Sequence, residues 1–203
     1  MAKGEARVAV REEDGRTERL VRGLRAAAPE AQAELCERFG RRLYRYLAQR
    51  LGQRDEVAED LMVETLTQAA RNAARFDPRK ATLTAWLFGI ARRQAQLELR
   101  RQRRRKSVPE SALTTLESLA ERSAPGDLAE ETASRLEAKR QVSKLVGYLS
   151  ETEMEVLVLR CLHRLSVKEI GRVLGRSERA IDSLLHRAKR KARERLVDDA
   201  GTV

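Results

Sequence analysis

The stretch LSVKEIGRVLGRSERAIDSLLHRAKRKARER, residues 165–195, decides the fold of the C-terminal part of this chain. Ser166 and Glu169 form an S-x-x-E capping box, which predicts the start of a short helix. Gly175 ends that helix, because glycine adopts the conformation of a tight turn at little cost. Ser177 then caps a second helix. Two short helices joined by a glycine-containing turn predict a helix-turn-helix.

The second of these helices has one apolar and one polar face, and it runs at least to Arg190. Its buried positions are predicted at Ile181, Leu184, Leu185 and Ala188. Its outward positions are Glu178, Arg179, Asp182, Ser183, Arg187 and Arg190, a set that suits the major groove of DNA. The alternative is an ordinary helical hairpin with solvated arginines. Residues 187–195 favour DNA, because their six cations against the single Glu194 suit phosphate neutralisation.

The composition predicts an all-helical, nucleic-acid-binding protein of one or two modest domains. The 203 residues include only 3% aromatic side chains, and no strand pattern competes with the helical ones. A net charge of +11 makes a polyanion the first partner to consider. A membrane surface is disfavoured, because the basic runs lack interleaved apolar residues and no apolar run approaches ~20 residues.

Several function classes lack support in the sequence. The N-terminus has no apolar core of a signal peptide, which predicts a cytoplasmic protein. Cys36 and Cys161 are isolated in apolar helical contexts, so both are predicted to be reduced core residues. His163 and His186 have no partners at metal-ligand spacing, so no metal or other cofactor is predicted. No nucleophile motif, phosphate-binding loop or catalytic carboxylate pair is present, and we predict no enzyme activity.

The chain divides into two helical modules on a flexible tether. We predict a disordered tail at residues 1–16, a first module at 17–106, a linker at 107–131, a second module at 132–197 and a short tail at 198–203. Proline, serine and acidic residues mark the linker, and residues 107–138 hold seven acidic against two basic side chains. In the second module, a helix resumes by Ala133 and another, Glu151 to Leu162, starts at a capping box of Ser150 and Glu153.

The first module contains four predicted helices. A short one begins at Thr17, and the others run from Pro29 to Leu51, Asp55 to Phe76 and, after a Thr82 cap, Leu83 to Arg105. The last has a predicted buried seam of Leu83, Leu87, Ile90, Ala91 and Leu97. The helix from Pro29 carries an arginine face that is either solvated or bound to nucleic acid, made of Arg38, Arg41, Arg42, Arg45 and Arg50.

The helix from Asp55 carries an acidic face in an otherwise basic protein, made of Asp55, Glu56, Glu59, Asp60 and Glu64. Carboxylates in the first turn of a helix interact favourably with the positive end of the helix dipole. This interaction explains the positions of Asp55 and Glu56 better than that of Glu64. Such a face would repel DNA, and it suits a protein partner.

The helix from Leu83 has aromatic side chains at its start and a row of arginines along its remainder. Aromatic faces stack on unpaired bases and cations follow the backbone, so this helix suits single-stranded nucleic acid. For Trp86 itself, a core position beside Leu83 and Ile90 is the favoured interpretation.

Both modules together resemble a bacterial RNA polymerase sigma factor of the extracytoplasmic-function (ECF) type, from Leu20 to Leu196. The first module is similar to region two of that family, with AEDLMVE at 58–64, RFDP at 75–78 and WLFGIAR at 86–92. The second is similar to region four, with LSETEMEVLVLRCLHRLSVKEIGRVLG at 149–175.

The resemblance implies RNA polymerase core and promoter DNA as partners, and an initiating subunit without chemistry of its own. It assigns the docking of the polymerase β′ coiled coil to Ala58, Glu59, Asp60, Leu61 and Glu64. It assigns the unpaired minus-ten element to Phe76, Asp77, Trp86, Arg93, Arg100, Arg103 and Arg104. It assigns duplex DNA at the minus-thirty-five element to Ser177, Arg179, Ser183, Arg187 and Arg190, in a module that also packs on the β flap. An anti-sigma factor is a further implied partner.

This chain departs from the family pattern at Val63, where glutamine is usual, at Arg93, where asparagine is common, and at Leu97, where aspartate is usual. Its minus-ten preference therefore does not follow from relatives. Two rival interpretations are a stand-alone helix-turn-helix regulator and a basic protein that binds RNA or the nucleoid without reading sequence. The acidic face separates the sigma-factor interpretation from both rivals, because neither rival needs such a face.

Overall fold

The computed structural model describes residues 15–52, 54–105 and 148–200, and within these ranges the regular structure is entirely helical. The predicted linker, the helix predicted from Ala133, residues 1–14 of the predicted N-terminal tail and residues 201–203 of the C-terminal tail lie outside the described residues. Residues 15 and 16, assigned to the N-terminal tail from sequence, instead form the first turn of a helix.

The first module packs four helices around one apolar core. They are α1 (residues 15–25), α2 (Pro29–Arg50), α3 (Asp55–Arg71) and α4 (Leu83–Arg105), with a 3-10 turn at Ala73–Arg75. Helix α2 packs against α3 and α4. The core is built from one apolar side of each helix, including Leu20, Leu24, Leu35, Phe39, Leu43, Leu47, Leu66, Leu87 and Phe88. The predicted helix cap at Thr82 is confirmed, since its hydroxyl accepts from the backbone N–H of Ala85 at 3.2 Å.

Helix α3 is shorter than predicted, because it ends at Arg71 and not at Phe76. The Asn72 side-chain amide donates to the Gln68 carbonyl at 2.8 Å, competing with the helical hydrogen-bond pattern at that point. The chain then tightens into the 3-10 turn and leaves it extended at Phe76, with φ −71° and ψ 125°. The sequence pattern missed this break because the apolar spacing continues through it.

The second module contains the predicted helix-turn-helix. Its described helices are α5 (Glu151–Cys161), α6 (Val167–Leu174) and α7 (Glu178–Ala200). Both predicted capping boxes are present, at Ser150 with Glu153 and at Ser166 with Glu169. Helix α7 extends to Ala200, so residues 198–200 are helical and not part of a tail.

Two glycines fix the turn of the helix-turn-helix. Gly175 has a left-handed backbone with φ +65°, as its predicted role requires. A Cβ at Gly171 would lie 2.8 Å from the carbonyl oxygen of Arg176, so this position admits no larger residue without backbone movement. The close approach brings α6 against the turn that leads into α7.

Two predictions about buried residues are wrong. Leu97 is 48% exposed, because the buried side of α4 follows Leu83, Leu87, Ala91 and Ala95 and leaves position 97 outside it. Cys36 and Cys161 are free thiols at exposed positions and are not core residues. Their apolar neighbours in sequence supply the core while the cysteines face outward.

The buried carboxylate of Glu153 makes the start of α5 sensitive to pH. It accepts from Lys191 Nζ at 2.8 Å and from the backbone N–H of Ser150 at 3.0 Å. The hydrogen bond from Lys191, followed by those from Ser150, lowers the pKa of Glu153 from 4.5 to about 2. A folded-state pKa below the unfolded value stabilises the fold fully above about pH 4.5, and that stabilisation is lost as pH falls toward 2.

We therefore expect Glu153→Gln to lower the melting temperature at pH 7 by a few degrees, for a loss of ~1 kcal/mol. Glutamine can still close the capping box, so the loss reports the Lys191 contact. Thermal unfolding followed by circular dichroism at pH 7 and pH 3 measures the effect, and the difference from wild type should shrink at pH 3. Glu37→Gln, at an exposed position of α2, is the control. A difference that stays constant with pH would contradict the assignment.

Candidate polymerase and nucleic-acid interfaces

The outward side of α7 presents the polar residues predicted for it. Ile181, Leu184, Leu185 and Ala188 are buried, while Arg179, Ser183, Arg187 and Arg190 are exposed. Ser177 is exposed and caps the helix, since its hydroxyl accepts from the Ala180 N–H at 3.3 Å. The predicted amphipathic pattern is confirmed, and we call these exposed residues the recognition face.

Two side chains of the recognition face are already engaged within the helix. Ser183 Oγ donates to the Arg179 carbonyl at 2.9 Å, and Arg190 lies 3.7 Å from Glu194 in an exposed ion pair. An exposed pair of this kind is worth little, so Arg190 can exchange Glu194 for a phosphate at small cost. Arg187 is exposed and forms no ion pair with another residue that the structure describes, so its guanidinium is directly available.

The acidic face of α3 is exposed at Glu59, Asp60 and Glu64. Leu61 is half-buried, and Val63, beside these carboxylates in sequence, is 57% exposed. Acidic side chains around an exposed apolar one fit a protein surface that offers cations and a hydrophobic contact. Ala58 is fully buried, so its predicted contact with a partner is not supported and its methyl group packs in the core.

The aromatic side chains of Phe76 and Trp86 pack together, and Trp86 lines a cleft. The two ring centroids are 5.2 Å apart, Phe76 is buried with 4% exposure, and Trp86 is half-buried. The cleft has a volume of about 390 Å³, and its lining includes Trp86, Ile90, Arg75, Lys80, Arg93 and Arg172. Phe76 therefore packs against Trp86, and its own ring is too buried in this structure for the predicted contact with a base.

Asp77 shapes the loop between the 3-10 turn and α4. Its carboxylate accepts from the Arg79 backbone N–H at 3.0 Å and from Arg79 Nε at 3.1 Å. These hydrogen bonds from Arg79 lower the pKa of Asp77. These contacts give Asp77 a role in holding the loop, and its contact with DNA stays a prediction.

The remaining minus-ten residues of the prediction follow one side of α4. Arg93, Arg100 and Arg104 are exposed at helical spacings of seven and four, with Arg103 exposed beside them. Together with Trp86 we call them the minus-ten face. This face joins an aromatic surface at one end to a row of cations at the other, as a stacked and charged strand requires.

Sequence reasoning missed four arginines with defined structural roles. Arg25 of α1 donates from Nη2 to the Phe76 carbonyl at 2.9 Å and from Nε to the Ala73 carbonyl at 3.3 Å, so it holds the backbone of the 3-10 turn and of Phe76. Arg42, Arg50 and Arg92 contact the second module. Their partners lie from 63 to 121 positions away in sequence, so no local pattern could have identified them.

Comparisons with known proteins show which proteins this chain is similar to. Residues 35–105 match the model of Sigma-70 region 2, and residues 139–191 match that of Sigma-70, region 4. The ECF RNA polymerase sigma factor BldN of Streptomyces coelicolor is 32% identical over 196 residues, covering 96% of this chain and 71% of BldN.

Two solved structures share the fold. CnrH, solved in complex with the cytosolic domain of CnrY, has a TM-score of 0.61 at 24% identity and covers 90% of this chain and 98% of that chain. The sigma factor RpoE of Bartonella quintana, solved with the anti-sigma factor NepR, has a TM-score of 0.58 at 20% identity and covers 81% of this chain and 95% of that chain.

This chain belongs to the ECF family of RNA polymerase sigma factors. It is an alternative sigma factor that directs RNA polymerase core to specific promoters, and its partners are the core enzyme and promoter DNA. The stand-alone helix-turn-helix regulator is not favoured, because the first module matches region 2. Sigma factors are in general DNA-binding initiation factors without enzyme activity. No helix in the described ranges has the length and apolar character needed to cross a membrane.

Proposed function

We propose that three surfaces divide the work of initiation among themselves. The acidic face docks on the β′ coiled coil of the core enzyme through Glu59, Asp60 and Glu64. The minus-ten face holds the unpaired strand, and the recognition face reads duplex DNA at the minus-thirty-five element. The modules carrying these surfaces are the predicted units at residues 17–106 and 132–197, and the second also contacts the β flap.

The contrast in charge between the surfaces is the observation that supports this division. Exposed carboxylates cluster on α3, whereas the outward residues of α4 and α7 are mainly arginines. A carboxylate cluster repels phosphates and attracts a cationic protein surface, and the arginine rows do the reverse. Melting then follows from differential affinity, since Trp86 and the cations bind an open strand more strongly than they bind the duplex.

Reconstitution with core polymerase tests the proposal. We expect promoter-dependent transcripts only when this protein is added, with footprints over both the minus-ten and minus-thirty-five elements. Transcripts without an upstream footprint would overturn the role of the recognition face. The cytoplasm is the compartment in which the protein meets core polymerase. An anti-sigma factor, the class of partner bound to RpoE, remains a prediction for this chain that co-purification tests.

Arg187→Ala should weaken binding to the upstream duplex by ~1–3 kcal/mol if a base contact is lost. Arg190→Ala should cost less, because Arg190 must first leave Glu194. Quantitative footprinting at matched salt measures both, and Arg22→Ala, at an exposed position of α1, is the control. Footprints that are unchanged in Arg187→Ala would remove this residue from the interface.

A further inference from the structure

The cleft beside Trp86 gathers positively charged side chains and has no negative charge to balance them. Its lining includes three exposed arginines that form no hydrogen bond or ion pair with another residue that the structure describes, Arg75, Arg93 and Arg172. Lys80 adds a fourth cation, and its Nζ lies 3.9 Å from the Asp77 carboxylate. No acidic side chain is among the described residues that line the cleft. A cleft lined by one sign of charge concentrates its field and attracts an anion.

The cations of this cleft come from both modules. Arg172 belongs to α6, whereas Arg75 and Arg93 belong to the first module. Helix α6 packs against α4, so like charges meet in one cleft, where they repel each other until an anion neutralises them. Arginine binds phosphate through two parallel N–H···O hydrogen bonds, which makes a chain of phosphate groups a fitting anion for several arginines.

The same cleft offers an aromatic surface and side-chain amides. The indole of Trp86 is half-buried, and it can stack on a base. Gln68 accepts from Gln94 Nε2 at 3.2 Å, and Asn72 donates to the Gln68 backbone carbonyl at 2.8 Å. The other polar atom of each lining amide, Gln68 Nε2 and Asn72 Oδ1, forms no hydrogen bond with another described residue. One donor and one acceptor are therefore available to the edge of a nucleobase.

Gly89 keeps the cleft wide along α4. It lies three positions after Trp86 and four before Arg93, on the same side of the helix, and it lines the cleft. Apart from its own helix backbone, a Cβ at Gly89 would meet no described atom within 4 Å. A glycine inside a helix costs stability relative to alanine, and no packing contact of the described residues requires one here. The space above Gly89 fits a ligand that lies between the indole and the guanidinium.

We propose that this cleft binds a nucleoside polyphosphate in the free protein, with the base on Trp86 and the phosphates on Arg75, Arg93 and Arg172. Its volume of about 390 Å³ lies in the range of small-molecule sites, roughly 300–1,000 Å³. Arg172 is no part of the minus-ten face, so a strand held by that face does not account for it. The inference goes beyond the proposed function, because its ligand is a free nucleotide and not promoter DNA.

The fluorescence of the single tryptophan in the chain reports on this cleft directly. ATP, adenosine and inorganic tripolyphosphate are titrated into the free protein at constant ionic strength, with excitation at the red edge of the indole band, where adenine does not absorb. We expect saturable, one-to-one quenching by ATP. Adenosine by direct titration, and tripolyphosphate by competition with ATP, should bind about tenfold more weakly or worse, because each lacks either the phosphate contacts or the stacked base.

Two pairs of variants test the residues of the site. Arg172→Glu should weaken ATP binding by about tenfold or more, because a charge-assisted hydrogen bond is lost and a repulsion is gained. Lys168→Glu makes the same change in charge at an exposed position of α6 that does not line the cleft, and it should bind ATP as the wild type does. Gly89→Leu fills the cleft and should abolish quenching, whereas Gly89→Ala adds only a methyl group and should retain it. Circular dichroism checks that all four variants fold.

The outcomes distinguish this site from the proposed function. Absence of quenching at millimolar ATP, or equal losses in Arg172→Glu and Lys168→Glu, would overturn the site. Tripolyphosphate that binds as tightly as ATP would overturn the nucleotide as its ligand. Neither result touches the minus-ten face, which is tested on the holoenzyme with an oligonucleotide. Conversely, loss of the minus-ten assignment would leave the ATP titration of the free protein unchanged.

Discussion

Reversing Glu59 and Asp60 to lysine should abolish promoter-dependent transcription. Both carboxylates are exposed on α3, so the double substitution keeps the fold and changes the charge of the acidic face by +4. If a cationic partner surface faces them, each attraction becomes a repulsion, and loss of a close charge pair typically costs ~2–5 kcal/mol. Binding to core polymerase should then fall by more than tenfold, measured by fluorescence anisotropy of labelled protein and by run-off transcription.

The control for this experiment carries the same change in charge elsewhere. Glu18 and Glu37 are exposed on α1 and α2, and their double reversal to lysine also adds +4. This control should bind core polymerase as the wild type does. Normal initiation by the Glu59 and Asp60 variant would show that the docking face is assigned to the wrong residues. Equal losses in both variants would point to net charge and not to a specific surface.

The helix-turn-helix was predictable in detail because its determinants are local. A capping box joins residues three apart, and the left-handed Gly175 acts on the helix directly before it. The buried side of α7 follows from spacings of three and four within a single helix. Each of these signals is complete within a few residues, so the sequence predicted both the helices and the orientation of the recognition face.

Features that depend on distant residues were not predictable in this way. The arginine face of α2 offered two interpretations from sequence, solvation or nucleic acid, yet Arg42 and Arg50 contact the second module. Ala58 belongs to a family-like motif, but its position on α3 faces the core. Leu97 fits an apolar spacing along α4, but none of the described helices covers that position sufficiently to bury it. A helical pattern gives the faces of a helix and does not identify the neighbour of each face.

Trp86→Ala should weaken capture of the unpaired minus-ten strand by ~1–3 kcal/mol, the value of one base stacked on an aromatic side chain. Arg93→Ala should act differently. Loss of one phosphate contact should make the plot of log K against log salt concentration for single-strand binding shallower by about 0.7. The affinities of both variants are measured on the holoenzyme by fluorescence polarisation with an oligonucleotide that carries the non-template minus-ten strand. The salt concentration is varied from about 50 to about 200 mM.

The two variants separate stacking from charge at a single surface. Trp86→Ala should lower affinity by a similar factor at every salt concentration, because stacking releases no counterions. Arg93→Ala should lose most affinity at low salt and converge on the wild type as salt rises. Arg19→Ala removes an exposed cation from α1 and should leave both affinity and slope unchanged. Trp86 packs on Phe76, so the indole could act by stacking on a base or by supporting the loop. Trp86→Phe preserves an aromatic ring and should recover most of the binding if stacking is the cause. It should recover little of the binding if the indole serves only to support the loop.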